Sequence, residues 1–133
     1  MREYATQMEA ARKGIITPEM KIVAKKEYRT EEEIREWVAK GQVAICANRL
    51  HTCIDPNGVG SMLRTKINVN LGVSRDCKDY DVEMKKVQAA VDMGAEAIMD
   101  LSSHGNTQPF RRKLTSECTA MIGTVPVLSL IHI

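Results

Sequence analysis

The sequence is poor in aromatic residues, with three Tyr, one Trp and one Phe making up 4% of its 133 residues. A stacking platform for single-stranded nucleic acid is therefore not expected. Neither sign of charge dominates: 19 Lys and Arg against 17 Asp and Glu leave a formal net charge of +2. Nucleic-acid binding needs a clustered basic face, and this balance argues against one. No apolar run approaches the roughly 20 residues that span a bilayer, so no membrane partner is expected. The opening Met1-Arg2-Glu3-Tyr4 lacks the apolar core of a secretory signal, and a cytoplasmic location is the expectation. The four cysteines, Cys46, Cys53, Cys77 and Cys118, form no C-x-x-C pair. A local zinc or cluster signature is thus missing, and four free, mostly buried thiols are expected.

What is present fits a modest soluble domain with a real core: 44% hydrophobic and 27% charged residues. Residues 1–42 read as a helical region. Thr17 caps a helix that starts at Pro18, where the missing N–H costs nothing, and Met20, Val23 and Ala24 form its apolar stripe. Thr30 and Glu33 fit a capping box, Ile34, Trp37 and Val38 give that helix its inner face, and Gly41 stops it. The acidic run Glu31-Glu32-Glu33 suits a first turn better than a metal site.

After Gly41 the period changes. Val43 to Ala47 reads as a short buried strand, Asp55-Pro56-Asn57-Gly58-Val59-Gly60 as a loop, and Lys66 to Leu71 as a strand. A helix with Tyr80, Met84, Val87 and Val91 on one face follows, then a strand over Ala97 to Leu101. A basic helix comes next, with Phe110 and Leu114 inward and Arg111, Arg112 and Lys113 outward, and a third strand runs from Gly123 to Leu128. Asn70, Met99 and Leu128 fall 29 residues apart each time. A strand–helix repeat of about 30 residues implies parallel strands with right-handed crossovers. The fold class is α/β: N-terminal helices plus the first strand–helix units of an incomplete (β/α)8 TIM-like barrel, whose closure takes about 250 residues. The expected domains are 1–42 helical, 43–127 partial barrel and 128–133 an atypical tail.

Ligands of parallel α/β folds gather at the carboxyl ends of strands, which singles out three places. Asn68 and Asn70 share one side of their strand, as a ligand site or as an amide ladder satisfied by backbone. Asp100, Ser102, Ser103 and His104 cluster past the next strand, as an acid/base set or as turn chemistry. Asn48 and His51 follow the first strand, but His51 has no partner at metal-ligand spacing. Gly58-Val59-Gly60 is too short for a phosphate-binding fingerprint. Residue chemistry alone names no reaction.

Several blocks together resemble the phosphomethylpyrimidine synthase family: Thr6-Gln7-Met8 with Ala11 to Met20, Ala47-Asn48 with His51, Lys66 to Gly72, Met99 to Ser102, and Ile122 to Pro126. The resemblance covers nearly the whole chain up to Val127. It implies a radical S-adenosylmethionine lyase that converts aminoimidazole ribotide into hydroxymethylpyrimidine phosphate for thiamine biosynthesis. It further implies a homodimer, a 4Fe-4S cluster on a C-terminal C-x2-C-x4-C motif, and a histidine-ligated divalent metal such as zinc. The ligands of both metal groups are absent from this chain. The family's substrate-contacting Asn and Met match Asn70 and Met99. Its third contact, a Tyr, falls on Leu128, which has no phenolic hydroxyl. The tail from Leu128 to Ile133 matches nothing in the family and is expected to be foreign, and the segment alone is expected to be inactive. Thr65 to Gly72, Ala97 to Ser102 and Ala120 to Thr124 also resemble 5-hydroxybenzimidazole synthase of anaerobic cobamide biosynthesis, the alternative enzyme. The non-catalytic alternative is a half-barrel acting as a binding module.

Overall fold

The computed structural model describes residues 3–125, which divide into two compact units. The first joins the N-terminal helices to residues 56–65. It holds α1 (Gln7–Arg12), α2 (Pro18–Glu27), α3 (Glu31–Ala39), β1 (Val43–Cys46) and β2 (Asn57–Gly60). The helix starts follow from local chemistry. The hydroxyl of Thr17 accepts from the Met20 amide at 3.1 Å and donates to Gln7 Oε1 at 2.6 Å. Thr30 and Glu33 form the reciprocal capping box, and the hydrogen bonds from Thr30 hold the Glu33 carboxyl below its ordinary range. Met20, Val23, Ala24, Ile34 and Val38 bury the helix faces against Ala11 and Val43. Each large aliphatic side chain taken fully out of water contributes on the order of 2 kcal/mol.

Thr17 is 1% exposed, so its hydroxyl has no water to fall back on. Thr17→Ala is expected to cost about 1–2 kcal/mol, the worth of a strong N-cap. A urea-unfolding midpoint that does not move would contradict this.

Residues 57–60, expected as loop, form a strand that pairs antiparallel with β1, Val43 opposite Gly60 and Cys46 opposite Asn57. Turn-type composition misleads here because the strand presses on α2. A Cβ at Gly58 would come within 2.6 Å of Leu63 Cδ1 and 2.9 Å of Val23 Cγ1, so a larger residue would force both side chains to shift. The Glu27 carboxylate also holds this region, accepting from the Arg64 amide at 3.0 Å, and Lys26 Nζ donates to the Pro56 carbonyl at 2.9 Å. β1 itself is not fully buried: Val43 is inside while Ala44 and Cys46 are exposed. The hairpin groups with the helices rather than with the parallel sheet.

The second unit comprises residues 48–55 and those from 66 onward. Its sheet has the order β3 (Asn68–Leu71), β4 (Ala97–Asp100), β5 (Met121–Thr124), all parallel. α4 (Tyr80–Asp92) links β3 to β4, and α5 (Gln108–Glu117) links β4 to β5. Asp79 caps α4 by accepting from the amides of Asp81 and Val82. Val87 and Ala90 of α4 and Phe110 and Leu114 of α5 form one core with Leu71 and Ile98, with Val69 and Ile122 packed against it. Tyr80 stacks on Phe110 at 5.2 Å between ring centroids. Both helices therefore lie on the same face of a sheet whose strands follow chain order. The third strand starts two residues earlier than expected, at Met121. Residues 126–133, including Leu128 and the tail, lie outside the described residues.

Candidate functional site

The register of the parallel sheet sets three residues in a row across it: Asn70 opposite Met99, and Met99 opposite Gly123. Side chains alternate along each strand. Since Val69, Leu71 and Ile98 pack against the helices, residues 68, 70, 97, 99, 121 and 123 occupy the other face. The two expected substrate-contacting residues, Asn70 and Met99, are thus brought side by side. Asn68 and Asn70 do share a face, but they are exposed rather than buried, and the Asn68 amide donates to Asn70 Oδ1 at 2.9 Å. That bond fixes which end of the Asn70 amide is used and orients the group. The third partner in the row is Gly123, 24 residues beyond Met99, so equal 29-residue spacing does not continue into β5.

Past the strand ends, the loops are stitched together by buried groups. Asp100 is fully buried on the helix-covered face; its Oδ2 accepts from Arg111 Nε at 2.6 Å and its Oδ1 from the Ser102 amide at 2.9 Å. The Ser102 hydroxyl accepts from the Val73 amide at 3.1 Å, and the Ser103 amide donates to the Val73 carbonyl. Glu83, 1% exposed, accepts from the Gly72 amide at 2.9 Å and pairs with Lys86 at 2.6 Å. The Glu83 carboxylate holds the Lys86 ammonium above its usual range. Asp100 and Ser102 therefore serve turn chemistry and loop anchoring instead of an acid/base set. Arg111, expected to face outward, is half-buried because its guanidinium reaches back to Asp100. Carboxylate and guanidinium lie 11 residues apart, and no local pattern announces the pair.

His51 is buried at 5% exposure, with Nε2 2.5 Å from the Cys118 carbonyl. A carbonyl only accepts, so the ring donates there and ties the 48–55 loop to the end of α5. This is a structural histidine. Cys53 points at the same carbonyl, 3.2 Å away. The four cysteines are free, but only Cys118 is buried, contrary to the expectation for most of them; Cys46 and Cys77 are exposed because they sit on a strand's outer side and in a loop. Burial pushes the Cys118 thiol up, away from the thiolate that metals and electrophiles need.

Among the described residues, no group of three or more His, Cys, Asp or Glu side chains is placed to hold a metal. The residues present do not fit a 4Fe-4S cluster or a zinc ion. A groove of about 160 Å³ on the helix layer is lined by Met84, Val87, Val91, Glu117, Cys118 and Thr119 among others. It is smaller than the ~300–1,000 Å³ of ordinary ligand pockets and lies on the face away from Asn70 and Met99. No helix among the described residues is long and apolar enough to cross a membrane.

A model of the Radical SAM ThiC family matches residues 6–133, so the match runs through the tail from Leu128 to Ile133 that was expected to match nothing in the family. The phosphomethylpyrimidine synthase of Alkaliphilus oremlandii (strain OhILAs) is 62% identical over 125 residues, covering 94% of this chain and 29% of the relative. The phosphomethylpyrimidine synthase of Clostridium botulinum (strain Hall) is 58% identical over 124 residues, covering 93% of this chain and 28% of the relative. The chain thus spans less than a third of the length of these curated relatives.

Proposed function

Because the chain belongs to the Radical SAM ThiC family, we propose that it supplies the N-terminal part of an enzyme that converts aminoimidazole ribotide into hydroxymethylpyrimidine phosphate in thiamine biosynthesis. The observation that carries this reading is the family match across residues 6–133, together with 62% identity to a phosphomethylpyrimidine synthase. The strands β3 to β5 are read as the first units of a (β/α)8 barrel. Sequential parallel strands with both helices on one face support that reading, since a doubly wound sheet carries helices on both faces. In a barrel the face opposite the helices turns inward, and the strand-end positions of that face are where barrel enzymes hold substrate.

On this reading Asn70 hydrogen-bonds the substrate, and Met99 packs its thioether against it. Oriented by Asn68, the Asn70 amide presents a fixed set of donors and acceptors to a polar ring or ribose. S-adenosylmethionine with its 4Fe-4S cluster supplies the radical chemistry. The cluster and a divalent metal, zinc, are held by residues outside this segment. The whole enzyme is read as a cytoplasmic homodimer, and the segment by itself as inactive.

Product analysis tests the reaction. The full-length protein, reduced anaerobically with S-adenosylmethionine and aminoimidazole ribotide, is expected to yield hydroxymethylpyrimidine phosphate by mass spectrometry. 5-Hydroxybenzimidazole as the product would move the assignment to the cobamide enzyme. Substrate returned intact by cluster-loaded protein would favour a non-catalytic binding module.

A further inference from the structure

Gly123 lies directly under the arm of Met99. A Cβ built on Gly123 would stand 2.8 Å from Met99 Cε and 2.9 Å from Met99 Sδ, its only close neighbours among the described residues. The register explains this: the two residues are paired across β4 and β5 and share a face. Methionine has three soft torsions, so its neighbours, rather than its own rotamer preferences, decide where its sulfur sits. Here the bare backbone of Gly123 lets the arm lie over β5. Asn70 is paired with Met99 from the opposite side, on β3. The arm therefore leans away from Asn70 and leaves the ground above that amide open.

We infer that Gly123 is a positioning residue, which acts through Met99 to keep the space beside Asn70 clear for the substrate. The inference rests on the proposed role of Asn70 and Met99 in substrate binding. Among the described residues, a methyl group at position 123 meets only the far end of a flexible side chain. The fold therefore accommodates Gly123→Ala by moving the thioether off β5, to the side where Asn70 is paired with Met99.

The test is a double-mutant cycle in the full-length protein, with aminoimidazole ribotide as the titrant and thermal unfolding as the control. Gly123→Ala is expected to weaken binding on the order of tenfold, with an unfolding midpoint close to the parent's. Met99→Ala is expected to weaken binding too. The pair combined is expected to bind like Met99→Ala alone, because the group that Gly123 steers is gone. A lowered unfolding midpoint with unchanged affinity would show a role in folding alone, and that result, or additive losses in binding, would overturn the inference. Unchanged binding by Gly123→Ala, with Met99→Ala impaired, would also overturn it while leaving the substrate role of Met99 standing. Unchanged binding by Met99→Ala would instead remove that role, and the inference with it.

Discussion

Replacing Gly72 by alanine is expected to cost the full-length protein on the order of 3 kcal/mol, enough to remove much of its stability. Gly72 follows β3 with φ of +147°, a backbone state that side-chain-bearing residues rarely adopt. A Cβ there would stand 2.5 Å from the Ser102 amide nitrogen and 2.7 Å from the Leu101 carbonyl carbon. Both atoms are backbone, and neither is free to retreat. The Leu101 amide is bonded to the Leu71 carbonyl at 2.7 Å, and the Ser103 amide to the Val73 carbonyl at 3.1 Å. Relief of the clash would have to break the ladder between the two loops. Gly94 provides the control, since it has φ of +89° but nothing within 4 Å of an added Cβ. Gly94→Ala should show only the conformational penalty, about 1 kcal/mol. Chemical denaturation of both variants checks the account, and equal losses would mean that the contact with the 101–102 backbone does not matter.

Arg111→Met is expected to lose about 3–5 kcal/mol, the usual cost of stranding one member of a buried ion pair. Asp100 is 0% exposed while the Arg111 side chain is 35% exposed, so the penalty falls on the carboxylate left behind. The lost partner is also a hydrogen-bond donor at 2.6 Å, and one Ser102 amide at 2.9 Å remains. Asp100→Asn combined with Arg111→Met removes the charge and the cation together, and should recover a good part of the loss. The comparison is made by denaturant unfolding of the single and double variants. A double variant no better than Arg111→Met alone would show that packing around Arg111, not the stranded charge, sets the cost.

These two sites also mark where reading the sequence stops. The caps at Thr17 and Thr30 were legible because capping is local, with donor and acceptor three residues apart. The inner face of α4 was legible because its period of 3.6 is written in Tyr80, Met84, Val87 and Val91, all of which reach the core. The 29-residue step from Asn70 to Met99 was legible for a similar reason: each β–α–β unit returns the chain to the same height in the sheet, and the two residues are paired. Contacts set by tertiary packing left no such trace. The strand at Asn57–Gly60 carries glycines because Gly58 is crowded by Val23 of α2 and by Leu63, and Gly60 by Val43 and the Gln42 carbonyl. His51 finds its partner 67 residues away, at a carbonyl that carries no side-chain signature. Arg111 looked like one of three solvated cations until a carboxylate at the end of β4 claimed it. Gly123 was hidden because the step from Met99 to its partner on β5 is 24 residues, shorter than the 29 from Asn70 to Met99.

The central claim is that the face of the sheet carrying Asn70 and Met99 receives the substrate. The most direct test is a structure of the full-length protein with aminoimidazole ribotide bound. The account predicts the ligand against that face, with a polar atom within hydrogen-bonding distance of the Asn70 amide and the Met99 thioether in van der Waals contact. A ligand seated on the helix-covered face, or in the groove lined by Met84, Val87 and Cys118, would contradict it.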